Sequence, residues 1–326
     1  MKVLVTGATG FIGSHLVEAL VQREVLVRCL VRNKKHLGWV KDLPVEFVVG
    51  NCQEKNSLKQ AVKDIDQVFH LAGATTAVKE KTYFEVNALG TENLVKACIE
   101  SNPRLNKFIH VSSQAAAGPC LSGDKKKETD DCEPVSPYGK SKLLGEELAL
   151  SLSRELPLLI LRPCAIYGPR DKGFHALFKC LSRNINPCLS GIDQHISMCH
   201  VQDLVRAILL AADSQSENGD IFFISDGQDY RTAEIGDIFA QAMKISALRL
   251  RIPKQILLGM AFFAECFSGV SGKPSIMNSG KVAEMIQQNW VCDITKARTL
   301  LGFEPRLTLA RGAESTIAWY KNENWL

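Results

Sequence analysis

The chain has 326 residues, 46% of them hydrophobic and 23% charged, with a formal net charge of +4. That length and composition suit one large globular unit or two intimate ones and exclude global disorder. So small a charge gives no nucleic-acid partner, and the mixed-sign run "DKKKETDD" at 124–131 reads as a solvated loop.

In chain order, "KVLVTG" at 2–7 predicts a first strand and 12–23 a helix. "VLVRCLV" and "VEFVVG" predict the next two strands, followed by a helix over 55–64. "DQVFHLAG", a helix over 84–101, "NKFIHVSS", a helix over 137–154 and "LPLLILRP" continue the alternation. Near-continuous apolar runs are what strands buried on both faces require, so the pattern predicts an α/β, doubly wound parallel sheet of the Rossmann type. After Tyr167 the pattern becomes irregular, returning to a helix near 201–212 and a strand at 220–226 before mainly helical sequence. The expected division is a dinucleotide domain over 1–165 plus about 200–226, with a smaller, mainly helical substrate domain over about 166–199 and 227–326. The apolar stretch "ILLGMAFFAECFSGV" at 256–270 is too short to span a bilayer and carries Glu265. It is expected as a buried or substrate-facing helix rather than one on a membrane surface.

The first strand runs into "VTGATGFIGSHL", whose Gly7, Gly10 and Gly13, with Thr9, Phe11 and Ile12 between them, would let backbone approach a pyrophosphate at a helix N-terminus. The end of the second strand selects between nicotinamide cofactors. An acidic residue there would hold a ribose 2′-hydroxyl, whereas the chain has Arg32, with Lys34 and Lys35 close behind. NADP(H) is therefore the expected cofactor and NAD(H) the second choice. Arg28 shares strand parity with Arg32 and is expected to face the same groove.

In "SPYGKSK", Ser136 suits an N-cap and Pro137 the first helical position, which puts Tyr138 and Lys142 on one face of the first turns. An ammonium and a helix N-terminus beside a phenol would lower its pKa from the usual value of about 10. The fifth strand ends in "HVSSQAAAG" at the sheet edge where such folds bind ligands, so Ser112 or Ser113 is expected to meet Tyr138.

Taken in order, "TGATGFIG", "HLAG", "VNALGT", "HVSS", "PYGKSK", "RPCAIYGP", "HVQDLVRAI" and the C-terminal "DITKARTLLGFEPRLTLARGAESTIAWY" resemble the extended short-chain dehydrogenase/reductase family over nearly the full length. The closest pattern is the dihydroflavonol reductase and 3β-hydroxysteroid dehydrogenase branch. The resemblance implies that Ser113 polarises the substrate oxygen, Tyr138 is the general acid or base, and Lys142 holds the nicotinamide ribose. It implies cofactor contacts from Lys35, Asn51, Cys52, Leu71, Ala72, Gly73, Asn87, Pro163 and Ile166, with Asn87 open to a structural role. Asn51 stands where the family commonly has Asp. Sugar-nucleotide enzymes of the family usually carry Asn three residues after the arginine of the sixth strand, for the substrate diphosphate. After Arg162 that place is Ala165. With Ala74, Gln114, Ala115 and Cys164, Ala165 is expected to line a pocket for a small, largely apolar ketone or secondary alcohol. The resemblance also implies a homodimer through the helices over 84–101 and 137–154.

Eleven scattered cysteines, with no C-x-x-C, provide neither a disulfide framework nor a zinc site, and no metal is expected. Reduced thiols and the absence of a basic leader point to the cytoplasm. His70 and His110 are expected in the core, and His200 as a hydrogen-bond anchor. Three readings compete: an NADP(H)-dependent oxidoreductase, a sugar-nucleotide epimerase or dehydratase with tightly bound NAD(P), and a non-catalytic NADP-sensing protein. The intact Ser113, Tyr138 and Lys142 set argues against the sensor.

Overall fold

The computed structural model describes residues 1–120 and 123–326. The chain runs from Lys2–Thr6 (β1) through Phe11–Gln22 (α1), Leu26–Val31 (β2), Glu46–Val49 (β3), Lys55–Ala61 (α2) and Gln67–His70 (β4). Glu80–Phe84 (α3), a π-helical turn at Glu85–Leu89 and Gly90–Ser101 (α4) lead to Lys107–Val111 (β5), Gln114–Ala117 (α5), Pro137–Ser151 (α6) and Leu158–Pro163 (β6). Ala165–Tyr167 (β7), His175–Leu181 (α7), Ile185–Leu189 (β8), His195–His200 (β9), Val201–Asp213 (α8) and Ile221–Ile224 (β10) follow. The chain ends with Asp229–Arg231 (β11), Thr232–Met243 (α9), Leu248–Ile252 (β12), Lys254–Ser271 (α10), Ser279–Met285 (α11), Asn289–Trp290 (β13), Thr295–Leu301 (α12) and Leu309–Asn322 (α13).

The apolar runs assemble as a seven-stranded sheet of order β10-β6-β5-β4-β1-β2-β3, every pairing parallel. Strand alternation divides the core cleanly. Val3, Val5 and Phe69 point to one face, against Leu16, Val17 and Leu20 of α1. Leu4 and Val68 point to the other, against Leu94, Val95 and Cys98 of α4. Strand order reverses between β1 and β4, the crevice where doubly wound sheets bind ligands. The glycine loop after β1 and Leu71 after β4 both open there.

Beyond the sheet, β9 pairs with β7, β11 and β13, and β8 pairs with β12. A separate aromatic core of Tyr167, Phe178, Phe239 and Tyr320 lies under this part of the chain.

Two expectations are corrected by the packing. Arg28 does not face the crevice: its guanidinium pairs with Glu46 at 3.0 Å and donates to the carbonyls of Gln60, Ala61 and Lys63. A cation satisfying the orphan carbonyls at the end of α2 is a structural use of that charge. The stretch 256–270 is a helix but not a buried one. Of the 18 residues of α10 only Leu257, Ala261 and Ser268 are buried.

Candidate active site

The glycine loop owes its shape to missing side chains. Gly7 has φ +71°, and a Cβ on it would lie 2.7 Å from the backbone of Leu71 and Ala72. A Cβ on Gly13 would lie 2.1 Å from the Gly7 carbonyl oxygen. Only glycine lets the loop, α1 and the end of β4 close up in this way. No side chain caps α1, so the first-turn amides of Phe11, Ile12 and Gly13 are left for an external acceptor. This cradle fits a dinucleotide pyrophosphate at a helix N-terminus. Thr9 and Gly10 are exposed on its rim.

Arg32 follows β2 directly and is exposed, as are Lys34 and Lys35; the Lys35 amide donates to the Asn33 side chain at 2.8 Å. Arg32 makes no hydrogen bond or ion pair among the described residues. Asn51 is turned inward on its own loop, accepting from the Gln53 amide at 3.2 Å. Buried Cys52 holds α4 through its carbonyl, which accepts from Asn93 at 3.1 Å.

Asn87 ties the two halves of the crevice together. Its side chain accepts from the Ala74 amide at 2.7 Å and donates to the Ala74 carbonyl at 3.0 Å and the Ser141 hydroxyl at 2.9 Å. It sits in the π turn that interrupts the helix expected over 84–101, a distortion that aims one side chain differently from its neighbours. A Cβ on Gly73 would come within 3.2 Å of the Asn87 oxygen.

Across the crevice, the local signals at "SPYGKSK" fold as their chemistry requires. Ser136 caps α6 by accepting from the Gly139 amide at 3.0 Å. A Cβ on Gly139 would lie 2.3 Å from the Ala115 carbonyl oxygen, and one on Gly145 would lie 2.4 Å from that of Asn87. These two glycines let α6 settle against α5 and the π turn. Ser113 caps α5, its hydroxyl accepting from the Ala115 amide at 3.1 Å. It also hydrogen-bonds the Tyr138 phenol, whereas the Ser112 hydroxyl is buried with no hydrogen-bond partner among the described residues.

The electrostatics differ from the sequence expectation. Burial pushes the Tyr138 phenol up to about 12, with the Ser113 hydrogen bond opposing and the Glu284 carboxylate reinforcing the rise. Lys142 does not depress it. Its buried ammonium donates to the Val111 carbonyl at 2.9 Å, and burial lowers the lysine to about 8 against the pull of Glu146. Glu146 in turn makes a buried pair with Arg162, the shortest contact being 2.6 Å.

Ser113 and Tyr138 open on a cavity of about 220 Å³ also lined by Gln114, Ala115, Cys164 and Ala165. Ala74 and α10, both expected in its walls, are not among its lining residues. Ala74 is held on the Asn87 side, and α11 stands where α10 was expected. The remaining walls are Gln194, Ile196, Lys281, Glu284, Met285 and Trp290. Sequence reasoning missed all of these. "MNSGKVAEM" does carry a legible helix start, with Asn278 accepting from the Lys281 amide at 2.8 Å, but nothing local says where that helix docks. Pro163 ends β6 in register with Ile224, and Ile166 lies half-buried in β7.

None of His70, His110 and His200 lines the cavity. His70 is buried between the hydroxyls of Thr6 at 2.7 Å and Thr91 at 2.9 Å, stacked on His110. His200 caps α8, its ring accepting from the Gln202 amide at 3.3 Å.

A glycine cradle at the switch point, facing a serine, tyrosine and lysine on the opposite lip, defines a dinucleotide-dependent enzyme of the Rossmann class. The model of the "NAD dependent epimerase/dehydratase family" matches residues 3–225, and the chain belongs to that family of NAD(P)-dependent enzymes. It is 30% identical to a ceramide reductase of Caulobacter vibrioides (strain NA1000 / CB15N), over 99% of this chain and 96% of that one. It is 28% identical to a UDP-glucose 4-epimerase of Vibrio cholerae, over 99% of this chain and 96% of that one. Among solved structures, MoeE5 in complex with UDP-glucose and NAD superposes with a TM-score of 0.78 at 25% identity, covering 99% of this chain and 100% of MoeE5. No helix among the described residues is long and apolar enough to cross a membrane.

Proposed function

We propose that the protein is an NADP(H)-dependent oxidoreductase that interconverts a ketone and a secondary alcohol on a largely apolar substrate. The observation that carries this reading is the cavity at Ser113 and Tyr138. Ala115, Cys164, Ala165, Ile196, Met285 and Trp290 give it apolar walls, and among the described residues its lining has one cation, Lys281, whose ammonium is held by Glu284 at 3.2 Å. A buried diphosphate would find no unpaired cation there, at a cost of several kcal/mol. In this reading the Ser113 hydroxyl holds the substrate oxygen, Tyr138 passes the proton to or from it, and Lys142 holds the cofactor ribose. The bound dinucleotide supplies the hydride.

Preference for the 2′-phosphorylated cofactor is supported by Arg32, exposed and without a partner among the described residues at the end of β2, with Lys35 nearby. The same reading divides the chain into a cofactor unit, 1–165 plus about 200–226, and a substrate unit of about 166–199 and 227–326. A homodimer through α4 and α6 is part of it, supported by exposed Leu89 beside these helices. A cytoplasmic location fits eleven scattered cysteines with no C-x-x-C spacing.

The similarity to the ceramide reductase supports an apolar substrate; the UDP-glucose 4-epimerase and MoeE5 favour a second reading, sugar-nucleotide epimerisation with retained NAD(P). Calorimetry and an NADPH-oxidation assay separate the two. The first reading expects turnover of ring, aryl or long-chain ketones and no heat from UDP-, GDP- or dTDP-sugars at millimolar concentration. Micromolar binding of a sugar nucleotide would replace it with the second.

A further inference from the structure

The outer face of α10 is apolar and uncovered. Phe262, Phe263, Phe267 and Val270 are 63%, 73%, 72% and 90% exposed, and Ile256 and Met260 are about half exposed. A soluble surface does not ordinarily expose so contiguous an apolar patch unless something occupies it. At 100° per residue, the exposed apolar positions from Leu258 through Phe262 and Phe267 to Met260 sweep an arc of roughly 200°. A single partner helix covers a stripe of about 100°. An arc twice that width calls for an occupant that wraps the helix from three sides.

The charge around the helix names that occupant. Between 248 and 273 the chain carries Arg249, Arg251, Lys254 and Lys273 against Glu265 alone, an excess of three positive charges. Arg249 is paired with Asp237. Glu265 is turned to the start of α11, accepting from the Ser279 amide and hydroxyl, each at 2.7 Å. Arg251 and Lys254 precede the apolar arc, and Lys273 follows it. Aromatic and aliphatic residues along one side of a helix, with cations at its margins, are the chemistry of a helix lying in the headgroup region of an anionic membrane.

We propose that the exposed side of α10, with the basic strand β12 before it, docks the protein on the surface of an anionic lipid bilayer. An 18-residue helix is about 27 Å long and lies along the surface without crossing it. The inner side of α10 packs Leu257 and Ala261 on Val282 of α11, and α11 contributes Lys281, Glu284 and Met285 to the catalytic cavity. The cavity wall is thus one helix away from the lipid. That an apolar substrate is drawn from the bilayer is a consequence resting on the oxidoreductase reading; the docking itself does not depend on it.

Sedimentation of the full chain with vesicles tests the docking without any substrate. The protein pellets with vesicles of phosphatidylcholine mixed with phosphatidylglycerol, and more weakly with phosphatidylcholine alone. The double variant Phe263→Glu/Phe267→Glu loses at least about tenfold in partitioning, with an unchanged thermal midpoint. Arg251→Gln and Lys254→Gln each lose about fivefold on the anionic vesicles alone. Cys266, an exposed thiol on the same helix, allows a second reading on an otherwise native chain: an environment-sensitive fluorophore there shifts to the blue when anionic vesicles are added. The proposal is overturned if the wild type stays in the supernatant, if the double variant still pellets, or if the fluorophore reports no change. It is equally overturned if light scattering shows that the double variant halves the particle mass, since the patch is then a contact between two copies.

Discussion

The Lys142 ammonium donates to the carbonyl oxygen of Val111 at 2.9 Å, tying the second turn of α6 to the end of β5. That bond holds a buried charge at the sheet edge, where burial lowers the lysine to about 8. The neighbouring carboxylate of Glu146 offsets only part of the desolvation, because the same carboxylate is committed to Arg162. The buried Lys142 charge is therefore a cost to the fold.

Stability should therefore depend on pH through Lys142. Its folded value lies below the usual lysine value of about 10.4, so between about 8 and that value the unfolded chain binds more protons and stability rises with pH. Below pH 8 the penalty is fully present, up to about 3 kcal/mol. In urea titrations of the cofactor-free protein, Lys142→Met should be the more stable form at neutral pH. Its advantage should shrink as the pH approaches 10. An advantage that stays constant across that range would remove Lys142 as its source.

Replacing Tyr138 with Phe removes the hydroxyl that Ser113 touches and leaves the ring packed near Tyr83. Turnover should fall by more than about 10²-fold, the usual contribution of a general acid or base. NADPH affinity, followed by nucleotide fluorescence, should stay within about threefold of the wild type. Because burial holds the free phenol at about 12, the alkaline limb of kcat/KM in the wild type should lie well above neutrality. Retention of a tenth of wild-type turnover would assign the proton transfer to another group.

The sheet and the cradle were legible in the sequence because both depend on local chemistry. A β-branched run such as "KVLVTG" has few alternatives to a buried strand, and Gly7 and Gly13 mark places where any Cβ collides with backbone. The start of α6 was legible for the same reason, through Ser136 and Pro137. The direction of the Tyr138 shift was not, since it depends on how much protein surrounds the phenol, and α11 brings Glu284 to it from nearly 150 residues away. The stretch 256–270 shows the limit most plainly. A helix apolar on all sides reads identically whether protein or something else covers it, and only the positions of its neighbours show that three residues of α10 face inward.

Arg32 provides the test of cofactor choice. A guanidinium clasping a 2′-phosphate makes charge-assisted contacts worth about 1.5–3 kcal/mol. Arg32→Ala should weaken NADPH by roughly 10- to 100-fold and leave NADH unchanged. Because Arg32 is exposed and has no partner among the described residues, the thermal midpoint without cofactor should not move. Equal losses for both dinucleotides would point to a different basis for cofactor choice.

Asn87 has no exposed surface, and through it the loop after β4 is joined to α6. The Ser141 hydroxyl that receives its amide donates onward to the Tyr138 carbonyl at 2.7 Å, so the chain of bonds runs from Ala74 to the backbone of the proposed acid. Asn87→Ala would leave the Ala74 amide and carbonyl without their partners, and each unpaired buried group costs about 1–3 kcal/mol. A loss of about 2–4 kcal/mol in urea unfolding is expected. A purely structural role would stop there. A positioning role also lowers kcat in the surviving folded fraction, with KM for NADPH changed less, because Tyr138 is no longer held in register with Ser113. Asn87→Asp should recover the Ala74 amide bond but not the bonds that the Asn nitrogen donates, giving an intermediate loss of stability with kcat still reduced. If both variants lose stability while kcat per folded molecule stays at the wild-type value, Asn87 braces the fold and the placement of Tyr138 rests on α6 alone.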